Sequence, residues 1–100
     1  GQGTEYWVSP FMCSSGQLTR LAPGIRARVT PGDPNVLRTQ PATGPNSIVI
    51  GEIPGGGEFI VVSGPQCGND GRIWWQVNYN GALGWTAEGE GSVYWLEPLD

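Results

Sequence analysis

The stretch RIWWQVNYNGALGWTA, Arg72–Ala87, decides the fold. Asn80-Gly81 at its centre is a two-residue hairpin signal, because both central residues of a type I′ turn need φ > 0 and Asn and Gly tolerate that best. A turn closed there sets a register: Tyr79 opposite Ala82, Val77 opposite Gly84 and Trp75 opposite Thr86. On the other face Gln76 meets Trp85 and Asn78 meets Leu83, with Trp74 beside them. The face bearing Ile73, Trp75 and Val77 is β-branched and aromatic throughout and is assigned to the core. The opposite face then holds Trp74 and Trp85 among polar neighbours. That makes a stacking platform, unless the N-terminal segment or a neighbouring subunit covers the rings.

Outward from this hairpin the chain reads as short strands cut by turn residues. Upstream, Ile25 to Thr30 alternates apolar and polar residues, the period-two pattern of a half-buried strand. Pro31-Gly32-Asp33-Pro34 turns the chain into Val36–Thr39, which Pro41 stops. Ile48–Ile53 and the apolar run Glu58–Ser63 follow, separated by Pro54-Gly55-Gly56-Gly57, and a loop from Gly64 to Gly71 carries Cys67. Downstream, Glu88–Gly91 forms a loop before a last strand, Val93–Leu96, ended by Pro98. With 17 Gly and 9 Pro in 100 residues, the pattern predicts an all-β domain: a small barrel of five to seven short strands. Residues 1–24, with a strand-like patch at Glu5–Val8, are expected to form an N-terminal extension to a barrel over residues 25–100.

Charge narrows the partners. The net charge is −4, every basic residue is Arg and there is no Lys, so no basic patch for nucleic acid or for an anionic membrane surface is expected. No run approaches the ~18 apolar residues that span a bilayer, which predicts no membrane insertion. No signal peptide is present in these residues, so secretion predicts a leader either removed from the protein or left out of these residues. Cys13 and Cys67 belong to no CxxC pair, and His is absent, which removes the usual zinc ligand sets. The two thiols are either unrelated buried cysteines or one disulfide closing a loop of about 55 residues, the latter implying an oxidising compartment.

Catalysis would need an acid–base pair, an activated nucleophile or a metal. Without His, the Ser-His and Cys-His arrangements are missing. Glu88 and Glu90 are the remaining carboxylate pair, but two acids in a Gly-rich loop read as solvated surface, with a weak calcium site the sharper alternative. Gly55-Gly56-Gly57 is followed by no Lys and reads as a turn rather than a phosphate loop. No enzyme activity, cofactor or metal is expected. The abundant residue type is aromatic: five Trp and three Tyr, whose flat faces suit sugar stacking or peptide grooves.

Several ordered motifs resemble the bacterial SH3 (SH3b) family. Ala27–Thr30 followed by Pro31–Arg38 and Pro41 is similar to the family's opening strand and turn. Ile50–Gly56 resembles its Ile-Pro-Gly segment, and Trp74–Val77, Asn80-Gly81 and Gly84–Gly89 resemble its closing hairpin. The resemblance covers about residues 25–98. It implies an SH3-like barrel, an extracellular or cell-surface location and a non-catalytic role in binding cell-wall peptidoglycan or surface polysaccharide. Trp74 and Trp85 would then stack on sugars, Tyr94 or Tyr79 would offer an amphipathic edge, and Gln76 and Asn78 would hydrogen-bond. Cys13 would pin the extension to the Cys67 loop. Tyr6, Trp7 and Val8 would either lie over the Trp face as a lid or add as a strand to another copy. The latter makes a self-assembling extracellular subunit, a homo-oligomer or filament, the competing expectation.

Overall fold

The computed structural model describes residues 13–99, and within them the chain is all-β. The strands are β1 (Arg26–Val29), β2 (Asn35–Arg38), β3 (Val49–Ile53), β4 (Glu58–Cys67), β5 (Ile73–Tyr79), β6 (Ala82–Ala87), β7 (Gly89–Glu90), β8 (Val93–Tyr94) and β9 (Leu96–Pro98). Seven of them form one sheet in the order β9-β1-β4-β5-β6-β2-β3, and β7 pairs separately with β8. All neighbours run antiparallel.

The Asn80-Gly81 hairpin has the predicted register at every pair, from Tyr79↔Ala82 to Trp75↔Thr86. Asn80 and Gly81 take φ of 52° and 90°, and Asn78 Oδ1 accepts the Gly81 N–H at 2.8 Å. Alternation places Ala27, Val29, Leu37, Phe59, Val61, Ile73, Trp75, Val77 and Leu96 in one buried cluster with Ile53, Leu21 and Cys13. Residues from both ends of the strand order thus meet in one core, so the sheet curls over itself. Two register shifts in β4, between Val61 and Ser63 and between Ser63 and Gln66, supply the bend, since extra residues on one strand sharpen its local twist.

The expected all-β fold is present, and its small barrel is an open, curled sheet of seven strands: β3 and β9 are its edges and do not pair with each other. β9 has only three residues, and one is Pro98, which has no N–H to donate and belongs at an edge. The expected last strand Val93–Leu96 is also divided. Trp95 N–H (2.7 Å) and Leu96 N–H (3.1 Å) both donate to the Glu88 carbonyl, which breaks the ladder between β8 and β9. Pro98, read as a terminator, instead lies opposite Ala27. Cys67 ends β4 rather than sitting in a loop, and it is disulfide-bonded to Cys13 with a Cα–Cα distance of 5.5 Å.

Residues 13–25 dock on the sheet through polar contacts. Glu88, fully buried, accepts from the Thr19 hydroxyl (2.8 Å), the Arg20 N–H (2.7 Å) and the Trp75 indole N–H (2.8 Å). Gln17 donates to the carbonyls of Gly91 and Val93 at 2.9 and 2.8 Å. Glu88 is therefore not the solvated surface acid that its Gly-rich setting suggests.

Candidate functional site

Side chains alternate along β2, so Leu37 points to the core while Val36 and Arg38 face outward. On the same outer face lie Trp74 of β5 and Ala87 of β6, which are direct partners, and Trp85, the partner of Arg38. Loops build walls on this face. Together Asn35, Val36, Arg38, Thr43, Arg72, Trp74, Ala87 and Trp95 enclose a cleft of about 130 Å³. A larger hollow of about 590 Å³, walled by Thr30–Asn35 and Val93–Trp95, shares Asn35, Val36 and Trp95 with it. A third, of about 600 Å³ between residues 40–47 and Asn69, shares Thr43. The hollows adjoin through these shared residues, a broken groove with Trp95 between the first two and Thr43 between the cleft and the third.

The segment Gly68–Arg72 decides what this groove offers. Gly68 lies against Trp74, where a Cβ would come within 2.3 Å of the indole nitrogen. Asp70 Oδ1 accepts the Trp74 indole N–H at 3.1 Å and the Arg72 N–H at 3.1 Å, and Oδ2 accepts from Arg72 Nη1 at 2.9 Å. Asn69 is tied to Thr43 by reciprocal bonds, Thr43 N–H to Asn69 Oδ1 at 2.9 Å and Asn69 Nδ2 to the Thr43 carbonyl at 2.8 Å. Trp74 is consequently only 2% exposed: it floors the cleft and presents no open face. The expected Trp74–Trp85 stacking platform is corrected on this point, because a loop crosses one of its two rings.

The other candidate residues are dispersed. Trp85 and Gln76 lie beside the cleft on the sheet face, and Gln76 Oε1 accepts from the Ser63 hydroxyl at 2.8 Å. Asn78 lines a separate hollow at the far end of the sheet with Arg26, Glu58 and Asn80. Tyr79 packs against the core. Tyr94 lines the large hollow, but its hydroxyl donates to the Leu18 carbonyl and Arg20 covers its ring at 3.8 Å. Tyr6, Trp7 and Val8 fall outside the described residues. Among the described residues no group of three or more His, Cys, Asp or Glu is placed to hold a metal. Glu90, the other half of the carboxylate pair, bonds Arg72 Nη2 at 2.6 Å.

Sequence reasoning passed over Trp95, Arg72 and Arg38. Trp95 is half-buried and carries the Arg72 guanidinium 5.1 Å above its ring, a cation–π contact. Arg38 Nη1 donates to the Ser47 carbonyl at 2.8 Å. The Nε atoms of both arginines are buried without an acceptor, an arrangement that costs about 1–3 kcal/mol per donor elsewhere in proteins.

Burial opposes ionisation of Asp70 most strongly. The Trp74 indole N–H, the Arg72 backbone and side-chain donors and the Arg72 charge together outweigh it, so its pKa lies below the ordinary value. A carboxyl depressed on folding contributes stability that is complete above its unfolded pKa of about 4 and is lost as the pH falls through the lower folded value. Asp70→Asn is expected to cost about 1–2 kcal/mol at pH 7. In urea unfolding at pH 7 and pH 2, the gap between variant and wild type should shrink in acid. An equal gap at both values would exclude the ion pair as its source.

Neither a protein-family model, nor a curated protein, nor a solved structure matches the chain.

Proposed function

We propose that this chain is a non-catalytic extracellular module of the SH3b type that binds a glycan, cell-wall peptidoglycan or a surface polysaccharide. The observation that carries this reading is the broken groove of adjoining hollows, with Trp95 between the larger hollow and the Trp74-floored cleft. Adjoining hollows suit successive units of a polymer, and the Trp95 indole between two of them offers a stacking face at low conformational-entropy cost. The Cys13–Cys67 disulfide supports an oxidising, extracellular setting. The motif resemblance over residues 27–41, 50–56 and 74–89 supports the same reading.

Cosedimentation with isolated peptidoglycan and with purified surface polysaccharide tests it. Trp95→Ala is expected to weaken binding by about tenfold, the scale of losing one buried aromatic contact at a binding site. Trp85→Ala, outside the cleft, should weaken it less. Unchanged pelleting of the Trp95 variant would remove the groove as the site.

A second reading, a self-assembling structural subunit, is favoured by one feature. The edge strand β3 and the residue before it expose Ile48 (61%), Val49 (49%) and Ile50 (50%). An apolar, unpaired strand edge is a template for pairing with another chain. Light scattering at rising concentration distinguishes the two: a monomer throughout counts against assembly.

A further inference from the structure

We infer that the central cleft is an oxyanion site and that the groove therefore takes an acidic saccharide, one carrying carboxylate or phosphate groups; this rests on the glycan-binding reading above. Among the described residues four buried side-chain N or O atoms have no hydrogen-bond partner: Ser15 Oγ, Gln17 Oε1, Arg38 Nε and Arg72 Nε. The two arginine donors belong to side chains that line one cleft. Arg72 already bonds a carboxylate through each Nη, so Arg38 is the guanidinium left to meet the acceptor oxygens of an anion in the cleft.

Arg38 is the more telling of the two. Arg26, Arg28 and Arg72 each pair with a carboxylate, whereas Arg38 bonds only the Ser47 carbonyl among the described residues. That anchor is itself fixed, since Ser47 donates its N–H to the Gly44 carbonyl and its hydroxyl to the Gln40 carbonyl, both at 3.1 Å. The guanidinium is thus held at the cleft with no carboxylate paired to it among the described residues. Of the acids around the cleft, Asp70 and Glu90 are both engaged by Arg72, while Asp33 lines the adjoining hollow and Glu52 lies opposite Val36 on the neighbouring strand. The chain's net charge of −4 acts weakly from beyond the ~8 Å screening length of physiological salt.

The alternative anionic partner, an acidic peptide, is less suited to this position. β2, which carries Arg38, is paired on both sides by β3 and β6, so an extended peptide finds no free strand edge to extend there. A sugar needs no main-chain ladder.

The test uses the intact oxidised protein and calorimetric titration with polygalacturonate, its carboxyl-reduced neutral counterpart, a phosphorylated mannan and poly-L-glutamate. Polygalacturonate, the phosphomannan or both should bind at least about tenfold more tightly than the neutral polymer, and the arm that binds identifies the source of the oxyanion. Arg38→Gln should abolish that preference while leaving near-UV circular dichroism unchanged, and Arg38→Lys should restore part of it. Equal binding of the neutral polymer, unaffected by Arg38→Gln, would overturn the oxyanion site and leave the glycan module standing. Poly-L-glutamate binding as tightly as the polyuronate would overturn the saccharide. Binding of no polysaccharide by the wild type would take down the functional reading and this inference with it.

Discussion

Replacing both Cys13 and Cys67 by Ala is expected to lower the unfolding free energy by about 4 kcal/mol, the chain-entropy value for a closed loop of about 55 residues. Domains of this size are stable by only about 5–15 kcal/mol, so the double variant should unfold far earlier in urea and melt some 15–30 °C lower. Two features make a full effect credible. Cys13 is itself in the core cluster at 9% exposure, and Ala keeps that site apolar where Ser would bury a new hydroxyl. The bond also fastens the segment leading to Thr19 and Arg20, which supply two of the three donors to Glu88. Urea midpoints of wild type with and without a thiol reductant, beside the double variant, provide the measurement. A loss under about 1 kcal/mol would mean that the polar contacts of residues 15–21 hold the segment without the cross-link.

Glu88→Ala is expected to cost about 3–5 kcal/mol, the range for breaking a buried, hydrogen-bonded polar cluster. Removing the carboxyl group strips the acceptor from the Trp75 indole N–H, the Thr19 hydroxyl and the Arg20 N–H at once. Trp75 is 1% exposed, so its indole has no ready access to water as a replacement. A buried donor left without a partner incurs its whole desolvation penalty. Glu88→Gln should cost roughly half as much, because one amide oxygen still accepts while its NH₂ group confronts a backbone N–H. Denaturant unfolding gives the magnitude, and amide exchange gives the location: Arg20 should lose protection before the β5–β6 hairpin does. A Glu88→Ala variant as stable as wild type would place the segment's anchorage elsewhere.

Much of the architecture was legible because it is local. The Asn80-Gly81 turn and the two-residue period of the flanking runs determine the β5–β6 pairing, and that pairing assigns Ile73, Trp75 and Val77 to the core. Turn residues likewise separated most of the other strands. The division at Trp95 was not legible, since it depends on two amides sharing the carbonyl of Glu88, seven and eight positions earlier. Nor was the open sheet edge, because motifs specify individual pairs and not whether the first and last strands meet.

For the site, alternation correctly put Trp74 and Trp85 on the face opposite Trp75, but exposure is a property of what lies above a face. Trp74 is covered because Asp70 bonds its indole and Asn69 ties that loop to Thr43, 26 positions earlier in the chain. Glu88 read as surface for the same reason: its partners Thr19 and Arg20 are 69 and 68 positions away. Most of the strands, the hairpin register and the inward face follow from φ preferences and side-chain period over a few residues. Which outward residues are covered, the lack of a carboxylate partner for Arg38 among the described residues, and the burial of Trp74 beneath a loop while Trp95 stays half-exposed all depend on contacts between segments whose separation no local pattern encodes.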